Sequence, residues 1–197
     1  MSQHLDPSRL EAFSDGVIAV IMTIMVLELK VPTLTVSNFA GLQSVFPLLM
    51  VYLLSFIQVG IYWVNHHYLI DDLEQVTHGI LWSNLALLFS LSLIPWATNW
   101  VGERGISSFS IALYSVICQL PAYTWIVLAA QIRRRTGKPL TATLPQQISS
   151  SLLYLVAVPV AYLSPYLALA MIGVVAVLWT LPPKRVREKT RSTPASK

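Results

Sequence analysis

Arg9, Glu11, Ser14 and Asp15 stand together at the head of an apolar run that continues through Val20, Ile24 and Leu27 to Lys30. Trp63, His66 and His67 close a second apolar run, and Asn84 lies at the start of a third. A carboxylate, two imidazoles, a hydroxyl and an amide could move protons, hold a metal ion or bond to one another. A carboxylate set in hydrocarbon is costly, and marks either a function or a bonded partner.

Spacing narrows these chemistries. Arg9 and Asp15 are six residues apart, which places them about 120° from each other around a helix and rules out the close i, i+4 pair. Asp15 therefore needs partners on other helices. Adjacent His66 and His67 diverge by about 100° on a helix. No Cys accompanies them and no H-E-x-x-H string occurs, so a shared metal ion is disfavoured.

Signatures of catalysis are missing as well. The sequence has no Gly-rich phosphate loop, no G-x-S-x-G and no second intramembrane carboxylate beside Asp15, so neither an enzyme nor a cofactor is expected. Glu11, Glu28 and Glu103 lie near helix ends, where water is within reach, and need no special role.

The elements that must position these residues follow from composition. Of the 197 residues, 55% are hydrophobic and 11% charged, against about 25% charged in soluble domains, and the mean hydropathy is +0.63. This is the composition of an integral membrane protein. A spanning helix takes about 20 mostly apolar residues, and six stretches qualify: 10–29, 43–70, 79–98, 107–132, 146–163 and 166–182. Pro32, "DDLEQVTHG", "GERG", "RRRTGKPLTATLP" and Ser164-Pro165 punctuate them. The expectation is a single all-α transmembrane domain over 1–183, followed by a basic, disordered tail over 184–197.

Other segments add less. The N-terminus lacks the basic region and cleavage site of a secretory signal. No repeat relates the two halves, which weakens an inverted-repeat transporter. Cys118, the sole cysteine, lies in an apolar run and reads as packing.

Cations set the orientation. With both termini cytoplasmic, Arg9, the Arg133–Lys138 cluster and the tail from Lys184 onward lie inside, and only Lys30 and Arg104 of the 13 Lys and Arg lie outside. The tail "KRVREKTRSTPASK" is then an anchor at the anionic inner leaflet, and the net charge of +4 calls for no nucleic acid.

Depth now joins the polar residues. A helical rise of about 1.5 Å per residue puts Ser14 and Asp15 roughly 6 to 8 Å inside the cytoplasmic face. The second helix, returning to that face, brings His66 and His67 to the same level with Trp63 one turn deeper, and Asn84 arrives on the third. Such groups bond to each other in lipid. Two readings stay open: a structural clamp for the first helix, or a proton relay through Asp15 and His66 in a coupled transporter.

On the first helix, Phe13, Gly16, Val20, Ile24, Leu27 and Val31 fall on one stripe, with Thr23 at its edge. Val, Ile and Leu at this spacing serve helix packing or, in a ring of copies, a constriction that gates by dewetting.

The string "RLEAFSDGVIAVIMTIMVLEL", with Arg9, Phe13, Ser14 and Asp15, resembles the signature of the prokaryotic form of the transmembrane-protein-175 family of potassium channels. "SFIQVGIYWVNHHYLI" resembles its second helix, with Trp63, His66 and His67, and "LWSNLALLFSLSLIPWAT" its third, with Asn84, Pro95 and Thr98. The resemblance implies a homotetramer of six-helix subunits whose first helices line a central potassium pore. It implies a constriction at Val20, where larger aliphatics are usual, further apolar layers at Ile24 and Leu27, and a cation-preferring hydroxyl layer at Thr23. It also implies that Arg9, Ser14 and Asp15 hold the pore helix through Trp63, His66 and Asn84. The implied partners are other copies of the chain, membrane lipid and potassium as permeant.

Overall fold

The computed structural model describes residues 6–29, 37–71, 73–137 and 144–180. Val31 and the tail from 184 lie outside them. All six predicted spans are helices: α1 Pro7–Ile24, α2 Asn38–Ile70, α3 His78–Arg104, α4 Ser108–Thr136, α5 Leu144–Leu163 and α6 Pro165–Thr180. A 3-10 turn over Met25–Glu28 continues α1.

Helix starts follow from short polar side chains that accept otherwise unpaired N–H groups. Asp6 accepts from Ser8 N at 2.9 Å, with Pro7 in the first turn of α1. Ser37, Thr77 and Ser107 accept from Ala40, Ile80 and Ser110 in the same way. Ser164 accepts from Leu167 N at the start of α6. The ends are set by glycine where φ must turn positive: Gly105 at 74° after α3 and Gly137 at 66° after α4.

"GERG" has the composition of a loop, yet Gly102, Glu103 and Arg104 continue α3 and Gly105 turns the chain. Arg104 gains a place over the Trp100 ring, 5.5 Å from its centroid, a cation–π contact that favours one more helical turn.

Four helices, α1 with its 3-10 turn, α2, α3 and α4, are long and apolar enough to cross a membrane, whereas the apolar parts of α5 and α6 are shorter. The 33 residues of α2 extend about 50 Å, well beyond a hydrocarbon core of about 30 Å. The 16 residues of α6 reach only about 24 Å.

Packing is uneven. In their most apolar windows α3 and α4 are 56% buried, but α1 with its 3-10 turn is 28% and α2 22% buried. The core therefore runs along α3 and α4, with α5 against α4 and α6 against α5. Ile80, Leu87, Leu91, Ile94, Ile111, Tyr114 and Leu128 fill it. Among the described residues α1 touches only α2, α3 and its own 3-10 turn, so one of its faces is held and the other is left open.

Candidate functional site

The face of α1 turned into the subunit carries Leu10, Ser14, Ile18 and Ile21, followed by Met25 in the 3-10 turn. Steps of three and four residues keep these on one side, and all are buried. The opposite side presents Phe13, Gly16, Val20, Thr23, Ile24 and Leu27, all exposed. A Cβ added at Gly16 would meet nothing within 4 Å. Leu27 is 75% and Val20 57% exposed. The stripe read from the sequence is thus the open face of α1 rather than its packing face within the subunit.

Thr23 shows how a hydroxyl sits on that face. It donates back to the carbonyls of Ala19 at 2.9 Å and Val20 at 3.0 Å, so its proton is used within the helix. Its oxygen lone pairs are directed elsewhere, as an acceptor.

The buried face is bolted down by a chain of polar bonds across three helices. Asn84 Nδ2 donates to Ser14 Oγ at 2.9 Å, and the Ser14 hydroxyl donates to the Leu10 carbonyl at 2.8 Å. Asn84 Oδ1 lies 2.8 Å from His66 Nε2. A carbonyl oxygen only accepts, so His66 must carry its proton on Nε2. Ser14, His66 and Asn84 are each fully buried. With neighbours of this kind Ser14, Asn84 and the Nε2 side of His66 avoid the cost of an unmade bond, about 1–3 kcal/mol, while His66 Nδ1 is buried with no hydrogen-bond partner among the described residues.

Asp15 belongs to a separate bond. It accepts from Trp63 Nε1 at 2.9 Å, at the edge of the subunit where Trp63 is 46% exposed. Beside it, His67 Nδ1 lies 2.7 Å from Glu11 Oε1, a second α1–α2 bond. The structure thus brings Ser14, His66 and Asn84 together, pairs Asp15 with Trp63, and pairs His67 with Glu11. Arg9 and Phe13 are exposed on the first two turns of α1.

Glu11 was passed over in the sequence because water was within its reach. The signal that finds it is the same depth argument: Glu11 is one turn before Asp15, as His67 is one turn after Trp63. A second polar knot also escaped notice. The Ser55 hydroxyl meets those of Thr98 at 2.8 Å and Tyr114 at 2.7 Å, joining α2, α3 and α4 in mid-bundle. No spacing in the sequence singles these three out, because each of the three helices carries several other polar residues.

These helices are shared with known proteins. The family described as "Endosomal/lysosomal potassium channel TMEM175" matches residues 9–95. A protein from Chryseobacterium sp. described as a potassium channel is 40% identical over 190 residues, covering 93% of this chain and 97% of its own. The chain belongs to the TMEM175 family.

A TMEM175 homologue from Chamaesiphon minutus, whose crystal structure is described as that of a lysosomal potassium-selective channel, matches with a TM-score of 0.78 and 30% identity. The match covers 89% of this chain and 96% of that one. The human TMEM175, described as an endosomal/lysosomal proton channel, is 32% identical over 100 residues, 45% of this chain and 20% of its own. The TMEM175 region of residues 9–95 takes in α1, α2 and most of α3. These are the three helices that build the polar bolts and carry the open stripe.

Proposed function

We propose that this multi-pass membrane protein is a potassium-selective channel, conducting passively and without covalent chemistry or cofactor, with potassium as the permeant. Bacterial relatives described as potassium channels, aligned along nearly the whole chain, support it, and none of the relatives is described as an enzyme. The observation that carries the mechanism is the two-sided α1: one face buried and hydrogen-bonded to α2 and α3, the other open.

Four copies ring a central axis with the open faces inward. One helix per subunit encloses a pore only in such a closed ring. Val20, Ile24 and Leu27 then form successive apolar layers in which water is unstable, so the constriction gates by wetting and dewetting. Thr23, between Val20 and Ile24, offers an acceptor oxygen of the polarity a cation needs. Ser14, Asp15, Trp63, His66, His67 and Asn84 keep the pore helix in register, and Arg9 and Phe13 complete the signature at its mouth.

The subunit is one six-helix transmembrane unit over 1–183 with a basic tail over 184–197. It lies in the cell membrane with both termini cytoplasmic, where its cations meet anionic lipid.

A proton-coupled transporter built on Asp15 and His66 is less well supported. Asp15 is engaged by an indole, which only donates, and His66 by an amide. Neither partner passes a proton onward readily.

The test is the reversal potential of purified protein in a planar bilayer, potassium on one side and sodium on the other, repeated across a pH step. A reversal displaced toward the potassium equilibrium value and unmoved by pH supports the channel. Ion uptake that follows the proton gradient, with no passive current, overturns it.

A further inference from the structure

Away from α1, the helices α2, α4, α5 and α6 line a partly open cavity of about 30 Å³. Its polar wall is built by Gln58 and Asn65 of α2, Gln147, Ser150 and Tyr154 of α5, and Trp179 of α6. Trp125 of α4 closes one side and stacks edge-on against Tyr62, with ring centroids 6.0 Å apart.

Most of this wall is internally bonded. Gln58 Nε2 donates to the Tyr154 hydroxyl at 2.9 Å. Trp179 Nε1 donates to Ser150 at 2.7 Å, and Asn65 turns its amide N–H back to the Ile61 carbonyl at 2.8 Å. Two atoms are not. Gln58 Oε1 and Gln147 Nε2 are buried with no protein partner, on residues only 2% and 5% exposed.

Those two atoms are chemical opposites: one accepts and the other donates. A buried amide atom without a partner costs about 1–3 kcal/mol, and hydrocarbon around the bundle gives it no other recourse. A probe-sized volume of about 10–15 Å³ is enough for one water, and the cavity has room for about two. An apolar packing gap would stay dry, but this one has polar groups on two helices.

We propose that this cavity is a binding site for one or two water molecules that bridge α2 to α5, each subunit holding its own site apart from the central axis. A water donates to Gln58 Oε1 and accepts from Gln147 Nε2, so neither amide is left unpaired. The bridge carries a structural consequence. Asn65 on the cavity wall is followed directly by His66, which bonds Asn84 on the other side of α2. The water site therefore ties α5 to α2 about two turns from the His66 that holds the α1 bolts.

Hydroxyl-radical footprinting by X-ray radiolysis tests this on the intact protein in detergent, because bound water generates radicals beside buried side chains. Tyr154 and Tyr114 are a matched pair: both buried, both with a hydroxyl bonded to a polar side chain, but only Tyr154 lines the cavity. Tyr154 and Trp125 are expected to be modified severalfold faster than Tyr114. Ala176→Leu, which fills the wall from α6, should bring Tyr154 down to the Tyr114 rate in a protein that elutes as the parent does. Equal protection of Tyr154 and Tyr114 in the parent overturns the proposal. Fast labelling of Tyr154 that persists in Ala176→Leu overturns it too, because the radicals then come from bulk solvent and not from a bound molecule.

Discussion

The indole N–H of Trp63 donates to Asp15 Oδ1 across 2.9 Å, so the carboxylate near the start of α1 is held by a group that can only donate. A histidine there would exchange protons with Asp15, whereas a tryptophan fixes it as an acceptor. The bond is therefore suited to holding α1 and not to relaying charge.

Trp63→Phe removes the donor and keeps the ring. The bond sits at the subunit edge, so the expected loss is modest, up to about 1.5 kcal/mol, read as a lower melting temperature and a smaller assembled fraction on size exclusion. Ion preference in the surviving assembly should match the parent. An intact assembly with altered preference would place Asp15 in the permeation path instead.

The buried chain should behave differently. Asn84→Ala strands His66 Nε2 in the core, at about 1–3 kcal/mol, while Ser14 loses the amide donor but keeps its bond to the Leu10 carbonyl. The double variant His66→Leu with Asn84→Leu removes the two interior polar partners together and should be less destabilised than the sum of the single Leu variants. Chemical denaturation of all three against the parent measures this coupling. Strict additivity would mean that the three residues do not act as one chain.

How far the sequence carries can be seen from particular residues. A rise of 1.5 Å per residue brought Ser14, His66 and Asn84 to one depth, and bonds among them are found there. The six helices were readable because hydrocarbon demands long apolar runs closed by Pro, Gly and polar caps. The extension of α3 to Arg104 was not, because "GERG" has the residues of a turn, and the Arg104–Trp100 contact that accompanies the extra turn is an i, i+4 pair that exists only once the helix has formed. The cavity is legible only in three dimensions. Gln58 is remote in the chain from Gln147 and Tyr154, and the three acquire meaning only where four helices meet.

Glu11 and His67 form the most exposed of the α1–α2 bonds, with side-chain exposures of 29% and 58%. Solvent and side-chain entropy reduce such a pair to under about 1 kcal/mol. Glu11→Gln should leave the melting temperature close to that of the parent, and what effect there is should shrink as salt is raised. A loss comparable to that of Asn84→Ala would show that this pair is covered in the assembly.

Thr23→Val keeps the shape of the side chain and removes the oxygen. Among the described residues the hydroxyl bonds only to carbonyls of its own helix, so folding and assembly should survive. If the Thr23 ring supplies cation preference, the bi-ionic reversal potential moves toward zero while current persists. An unchanged reversal potential would assign the preference to another layer.

Ile24 and Val20 test the gate itself. They are one turn apart on the open face of α1, so in a ring they form adjacent apolar layers about 6 Å apart. Water in so narrow an apolar passage is unstable, and each polar group introduced there favours the wet, conducting state. Ile24→Asn should raise basal conductance in bilayer recordings, with an elution profile like that of the parent because Ile24 is 43% exposed in its own chain. Val20→Ile should lower conductance by narrowing the layer that a smaller side chain leaves wide. If Ile24→Asn conducts no better than the parent while Val20→Asn does, the constriction lies one turn nearer Asp15. If neither substitution changes conductance, the gate is not on this face of α1.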